Sequence, residues 1–290
     1  MSPDNILIES TLLSNAKINI GLNIFDKNDN GYHILESLIQ EISISDIINI
    51  KILKSTGPIQ LSLKGLAIDC SNEKNTCYKI TNYVKKNYEI KNQIIIELHK
   101  KIPIGSGLGG GSSNAASILN FLDKTLKINL SKKKKIEICK SIGMDVPFFI
   151  DGGLQYVQGM GDITSMLPPV FKNNFIIIAK PQFSISTKWA YSKINKLLPN
   201  KKMRYNLLAL EAPLKWDSFW NDFEDVVIPR YPEIRELKEA MLKSGAIYSS
   251  LSGSGSTVFG IYNNYDQALE ASKKIDQKKY QITVTSPIYR

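Results

Sequence analysis

Polar and apolar residues alternate through much of the first 65 positions. Ile18, Ile20 and Leu22 fall on one side of an extended chain, and Lys17, Asn19 and Gly21 on the other. The segment 38–53 continues the alternation and is rich in β-branched isoleucine, so both stretches are predicted as strands. Between them, Asp26-Lys-Asn-Asp-Asn-Gly31 has the composition of a turn. From Thr76 to Tyr88 the apolar residues recur at helical spacing, and 93–98 reads as a strand. Helices are predicted over 114–126 and 130–142. The stretch 151–168 then shifts to Gly, Asp and Pro, which marks a candidate domain boundary. Beyond it come a strand over 175–179 and a proline-broken stretch rich in aromatic and basic residues. A helix over 233–244, a strand ending at Gly260, a helix over 266–276 and a last strand over 281–285 complete the pattern. There is no internal repeat. This succession predicts an α+β layer with helices on one face of a sheet.

At 290 residues the chain has room for one large domain or two modest ones, at roughly 150 residues each. With 43% apolar and 22% charged residues it is expected to be globular rather than disordered. No apolar run approaches the roughly 20 residues of a membrane-spanning helix, so no membrane association is expected. The opening Met1-Ser-Pro-Asp-Asn5 carries no basic segment and no apolar core follows it, which predicts a cytoplasmic protein. Three cysteines, Cys70, Cys77 and Cys139, match no zinc spacing and are too sparse for a disulfide scaffold; buried or indifferent thiols are expected.

An excess of 37 basic over 27 acidic residues gives a net charge of +10. That charge suits an anionic partner such as a nucleotide, a nucleic acid or a lipid headgroup. It equally suits the compositional bias of a chain rich in Lys, Ile and Asn. The tightest basic cluster, Lys132 to Lys135, precedes an apolar periodicity at Ile136, Ile138 and Ile142 and reads as the solvated start of a helix.

The most informative segment is Pro103-Ile104-Gly105-Ser106-Gly107-Leu108-Gly109-Gly110-Gly111-Ser112-Ser113, followed by Asn-Ala-Ala. It leaves a strand and opens a helix. Glycines let backbone N–H groups approach a ligand, and a helix N-terminus adds unsatisfied donors and the positive end of a dipole. Such a cradle suits phosphates, and Ser112 and Ser113 offer hydroxyls to a phosphate or a metal ion, or caps to the helix. Gly105-Ser-Gly107-Leu-Gly-Gly110 fits the dinucleotide fingerprint formally. Yet Ser131 and a lysine run stand where an acidic residue should close the second strand. The Walker pattern is missing, as are the H-R-D and D-F-G signatures of protein kinases.

The run Gly107-Leu-Gly-Gly-Gly-Ser-Ser-Asn-Ala-Ala116 resembles the phosphate loop of the kinases named for galactokinase, homoserine kinase, mevalonate kinase and phosphomevalonate kinase, the GHMP kinases. Ala16-Lys-Ile-Asn19, Gly31-Tyr-His33, Gly143-Met-Asp-Val-Pro-Phe-Phe149 and Leu251-Ser-Gly-Ser-Gly-Ser256 agree in order and spacing. They are similar to the branch that phosphorylates 4-diphosphocytidyl-2-C-methyl-D-erythritol. The resemblance covers nearly the whole chain. It implies two domains, 1–160 and 161–290, with the active site in the cleft between them. It also implies ATP and Mg²⁺ as cofactors and a cytidine diphosphate derivative as the small-molecule substrate, in a monomer or homodimer.

The resemblance further implies a catalytic pair. The Asp145 carboxylate would take the proton of the acceptor hydroxyl, and the Lys17 ammonium would favour the developing alkoxide. Taken without the resemblance, Asp145 reads as a turn residue and Lys17 as a solvated lysine. The loop 103–113 would bind ATP, with Lys100 and, more weakly, Asn75 beside it. Asn19 would face the acceptor end, Tyr32 would stack on cytosine, His33 would bond its polar edge, and Thr187 would lie on the substrate side. The metal ligands are not specified by the sequence. Ser106 and Ser256 stand where relatives often carry glycine and alanine, and 200–220 matches no usable pattern. A sibling kinase acting on homoserine or a mevalonate would share the loop but would have no reason to keep Gly31-Tyr-His33. A basic RNA-binding protein would explain the charge but should carry aromatics interleaved with arginine, which is scarce here; no nucleic-acid partner is expected.

Overall fold

The computed structural model describes residues 5–29, 31–68, 70–194 and 215–290. They form two compact units: Met1–Ala16, Ile44–Ile104 and Gly109–Asp151 in the first, and Lys17–Ser43, Gly105–Leu108 and Gly152–Arg290 in the second. Two long strands, β1 (Ile6–Lys27) and β2 (His33–Thr56), pair with each other and contribute residues to both units.

In the first unit β2 pairs antiparallel with β4 (Asn92–Lys100) from Ile47 opposite His99 to Ile52 opposite Ile94. Parallel to β4 lies β3 (Ile59–Gly65), Ile59 opposite Ile94. On β4, Ile94, Ile96 and Leu98 are buried while Ile95, Glu97 and His99 alternate with them on the more open face. There Lys64, His99 and Asn49 donate to Glu97, and the Lys64 contact above all holds its carboxyl down at about 2. Cys77, Ile80 and Val84 of α1 (Thr76–Asn87) and Ala115, Ile118, Leu119 and Leu122 of α2 (Gly110–Thr125) are buried too, and α1 packs on α2 and on β3.

α3 (Lys132–Ile142) starts at Ser131, whose hydroxyl accepts the Lys134 N–H, and a short α4 (Phe148–Asp151) follows. The lysine run begins the helix as expected, but it is not simply solvated. Lys132 pairs with Asp151 at 2.6 Å, and Lys135 with Asp123 at 2.8 Å.

The chain passes to the second unit between Asp151 and Gly152. The Gly- and Asp-rich stretch beyond, expected as a boundary region, folds into a hairpin of β5 (Leu154–Gly159) and β6 (Ile163–Met166), and β5 also pairs with β2. Its glycines serve turns that need positive φ, which hid a short strand pair behind a loop-like composition. A second sheet has the order β10-β7-β9-β8, all antiparallel, built from β7 (Phe175–Pro181), β8 (Tyr248–Leu251), β9 (Val258–Tyr262) and β10 (Tyr280–Thr285). β9 continues past Gly260, where the sequence pattern ended it. The helices are α5 (Thr187–Ile194), α6 (Glu224–Val227), α7 (Pro232–Lys243) and α8 (Tyr265–Lys274). Ile234, Leu237 and Met241 of α7 and Ala268 and Ala271 of α8 share one core with Ile177, Val258 and Tyr262 of the sheet and with Leu22 and Ile24 of β1.

Among the described residues no helix is long and apolar enough to cross a membrane. Most of 200–220, unassigned by pattern, lies outside the described residues. Within the remainder Trp216 begins a short helical turn and stacks on Phe171 and Tyr248.

Candidate active site

The glycine-rich loop enters from β4 and leaves as α2. Gly105, Gly107 and Gly109 all have positive φ, and Gly109 is the left-handed residue that turns the chain into α2. The first helical bond runs from the Ser113 N–H to the Gly109 carbonyl at 2.9 Å. The amides of Gly110, Gly111 and Ser112 therefore have no partner within the helix, and no side chain caps them. Of the two serines, Ser113 is buried and its hydroxyl accepts from Ser14 at 2.8 Å, whereas Ser112 is only half-buried. Pro103 and Gly107 are partly buried, Ile104 and Gly105 exposed, and Ser106 and Leu108 buried.

Within the first unit, Asn75 caps α1: its side chain accepts the Cys77 N–H at 2.9 Å, and the next residue, Thr76, donates to the Gly111 carbonyl at 2.7 Å. Lys100 is 4% exposed, its ammonium 2.5 Å from Asp46. Burial pushes its pKa down and the Asp46 carboxylate opposes that shift. Asp145 is exposed, in the turn between α3 and α4.

Within the second unit, Lys17 and Asn19 lie on one face of β1, 3% and 4% exposed. Lys17, which its position alone marked as solvated, is buried because β1 is covered on both faces here. Its ammonium is 2.5 Å from Asn19 Oδ1, and the Asn19 amide donates to the Ser37 hydroxyl at 2.8 Å. The Lys17 N–H donates to the Leu108 carbonyl at 3.0 Å, tying β1 to the glycine-rich loop. Ser252 makes a second tie, its hydroxyl accepting the Asn19 N–H at 3.3 Å and donating to the Gly107 carbonyl at 3.0 Å. A Cβ on Gly107 would stand 2.0 Å from the Ser252 carbonyl oxygen, so the loop closes here only with glycine.

Tyr32 is 54% exposed at the end of the β1–β2 turn. His33 is half-buried, its Nδ1 2.8 Å from the Phe25 carbonyl and its ring stacked on Tyr191 at 5.4 Å. Its Nε2 is buried without a partner. Thr187 opens α5, its hydroxyl 3.0 Å from that of Ser254.

Asp46, Ser252 and Tyr191 escaped the sequence reading as site residues. Asp46 did leave a signal, as a carboxylate within an isoleucine-rich strand pattern, and Ser252 lies inside a recognised glycine-serine run. Tyr191 left none. Among the described residues no group of three or more His, Cys, Asp or Glu side chains is placed to hold a metal ion.

Residues 75–153 match the GHMP kinases N terminal domain, and residues 196–282 match the GHMP kinases C terminal domain. The 4-diphosphocytidyl-2-C-methyl-D-erythritol kinase of Thermodesulfovibrio yellowstonii is 39% identical over 267 residues, covering 89% of this chain and 91% of the relative. That of Clostridioides difficile is 34% identical over 281 residues, 95% and 94% of the two chains. A crystal structure of 4-(cytidine 5'-diphospho)-2C-methyl-D-erythritol kinase superposes with a TM-score of 0.78 at 26% identity, covering 96% of this chain and 99% of that one. Homoserine kinase from Cytophaga hutchinsonii, at 19% identity and a TM-score of 0.68 over 96% and 95% of the two chains, shares the fold. With identity above 30% sustained along most of its length, and both GHMP kinase domains matched, the chain belongs to the 4-diphosphocytidyl-2-C-methyl-D-erythritol kinase family.

Proposed function

We propose that this chain transfers the γ-phosphoryl group of ATP to the 2-hydroxyl of 4-diphosphocytidyl-2-C-methyl-D-erythritol, giving the 2-phosphate and ADP. This is the kinase step of the non-mevalonate route to isoprenoid precursors, carried out in the cytoplasm. The observation that carries the reading is the loop 103–113: glycines at positive φ run into a helix whose first amides are unpaired and uncapped. Backbone donors held in place before the ligand arrives stabilise phosphate charge without reorganising.

Phosphoryl transfer asks a protein mainly for positioning and charge stabilisation. Asp145 is the general base that receives the acceptor proton. The Lys17 ammonium, aimed by Asn19, stabilises the alkoxide as that proton leaves. The donor set fits a Mg²⁺ ion that arrives on the nucleotide, because the loop offers the half-buried Ser112 hydroxyl and, among the described residues, no group of three or more His, Cys, Asp or Glu side chains is placed to hold a metal on its own. When bound, the ion offsets phosphate charge.

His33 supports the cytosine half of the reading. With Nδ1–H given to the Phe25 carbonyl, Nε2 is left as an acceptor. An acceptor suits the exocyclic amine of cytosine and opposes the carbonyl that uracil has there.

A coupled ADP-release assay with three acceptors tests the function. ADP is expected with the cytidine diphosphate compound and hardly at all with homoserine or mevalonate. Equal turnover with any two of them would defeat the assignment.

A further inference from the structure

Both ends of the glycine-rich loop meet one buried ion pair. Asp46, fully buried on β2, accepts the N–H of Lys101 at 2.7 Å and that of Ile102 at 2.8 Å through Oδ1. These are the last two residues before Pro103. Its other oxygen, Oδ2, holds the Lys100 ammonium at 2.5 Å. At the far end of the loop, Gly110 lies directly against that ammonium: a Cβ there would be 2.6 Å from Lys100 Nζ and 2.9 Å from Ile102 Cγ2. The entry strand and the first residue of α2 are thereby packed on the same pair.

We infer that the Asp46–Lys100 pair is a clasp at the neck of the phosphate loop, which makes Asp46 a positioning residue for the nucleotide. A loop anchored at one end can change its span. One gripped at both ends presents its amides at fixed separations, and fixed separation is what a polyphosphate reads. The electrostatics agree. A lone ammonium beside a helix N-terminus opposes the helix dipole and is expensive to bury. Asp46 neutralises it and spends its remaining lone pairs on the two amides that launch the loop. A merely structural pair would satisfy the charges anywhere along β4, whereas this one sits where the loop begins and ends.

The inference rests on the loop 103–113 holding the phosphates of ATP, and its test separates the two. In the full-length protein, Asp46→Asn keeps an acceptor for an amide but removes the charge facing Lys100. Its KM for ATP should rise at least about tenfold, with the acceptor KM within about twofold of wild type and kcat at saturating ATP reduced less than about threefold. Lys100→Met should act in the same direction. The double variant should be no worse than the worse single one, because two residues of one clasp are not additive.

Val84→Ala, in the core of the same unit, serves as the stability control: it should lower the melting temperature and leave the ATP KM alone. An unchanged ATP KM in Asp46→Asn, multiplicative losses in the double variant, or an equal rise in Val84→Ala would overturn the clasp. Gly109→Val, at φ +70, tests the loop itself by calorimetry with ATP. If it binds ATP as the wild type does, the loop reading falls and the clasp with it. If it fails to bind while Asp46→Asn binds normally, only the clasp falls.

Discussion

The Lys17 ammonium is held 2.5 Å from Asn19 Oδ1, two residues along the same buried face of β1. The donors run in one direction from there: the Asn19 amide donates to Ser37, and the Ser37 hydroxyl donates to the Gly21 carbonyl at 2.7 Å. Ser37 thus fixes which way the amide faces, and the amide oxygen aims the ammonium. Losing Lys17 should therefore cost more than losing its guide. Lys17→Met is expected to lower kcat by about 10² to 10³, the scale of removing one preorganised electrostatic donor, and Asn19→Ala by about tenfold. Steady-state kinetics at saturating ATP provide the check, and the ATP KM should hardly move in either variant. Equal losses would mean that Asn19 acts on substrate directly.

Asp145 is exposed in a turn that has backbone hydrogen bonds of its own. The Val146 N–H donates to the Gly143 carbonyl and the Phe149 N–H to the Val146 carbonyl, both at 3.1 Å. Asp145→Asn keeps the size and shape of the side chain and the backbone bonds of the turn while removing the basicity of the carboxylate. We expect kcat to fall by about 10² to 10⁴ while ATP affinity measured by calorimetry stays within twofold. A fall smaller than threefold would show that the transfer needs no base at this position.

How legible the molecule was depended on which faces its strands bury. β4 was readable because Ile94, Ile96 and Leu98 go inward while Glu97 and His99 face outward, the arrangement that alternation reports. β1 gave its alternation but not its environment. Both of its faces are covered around Lys17, and a lysine on a doubly covered strand is written no differently from one on a surface strand. The four residues of β8 are all buried, so they carry no period at all. α2 begins four residues before its predicted start because Gly110 to Ser113, poor helix formers, carry no helical signal in the sequence although they open the helix. The glycine-rich loop was legible as geometry, since glycine spacing encodes positive-φ backbone directly and Gly105, Gly107 and Gly109 all adopt it. Its clasp was not: Asp46 and Lys100 lie 54 positions apart, and their meeting depends on the register of β2 against β4. The roles of Lys17 and Asp145 came from resemblance, because nothing local in either segment specifies a reaction.

The thiols make a prediction independent of catalysis. Burial pushes both Cys77 and Cys139 up to about 12, whereas Cys70 is only partly buried. The thiolate is the reactive form, so at pH 8 a disulfide reagent should titrate one thiol quickly, that of Cys70, and all three only in denaturant. Because the folded pKa values lie above the ordinary 9.0, the neutral thiols contribute stability that is complete below pH 9 and lost as the pH rises toward 12. The melting-temperature advantage of wild type over Cys77→Ala/Cys139→Ala should therefore narrow between pH 8 and pH 11. Rapid titration of all three native thiols would contradict the burial.

Tyr32 and His33, proposed above to meet the base, separate two effects that are easily confused. Tyr32 is 54% exposed, open to a planar ligand, and its backbone is set by the turn through a 3.0 Å bond from its N–H to Asn28 Oδ1. Tyr32→Ala should keep the turn and lose the platform. That weakens acceptor binding by roughly 1 to 3 kcal/mol, about 5-fold to 150-fold in KM, while Tyr32→Phe stays mild because stacking needs the ring and not the hydroxyl. His33 acts through direction rather than area. Its Nδ1 is committed to the Phe25 carbonyl, and Tyr191 stacks on the ring, so in the neutral imidazole Nε2 is the nitrogen left to accept. His33→Ala should therefore reduce the preference for cytidine over uridine as well as the affinity, because the removed acceptor is the one that opposes the uracil carbonyl. The measurement is the ratio of kcat/KM for the cytidine and uridine forms of the acceptor. We expect that ratio to fall in His33→Ala and to be preserved in Tyr32→Ala, where only stacking is lost and every base has a π-face. A ratio unchanged by His33→Ala would make His33 a support for Tyr191 and leave base choice to another group.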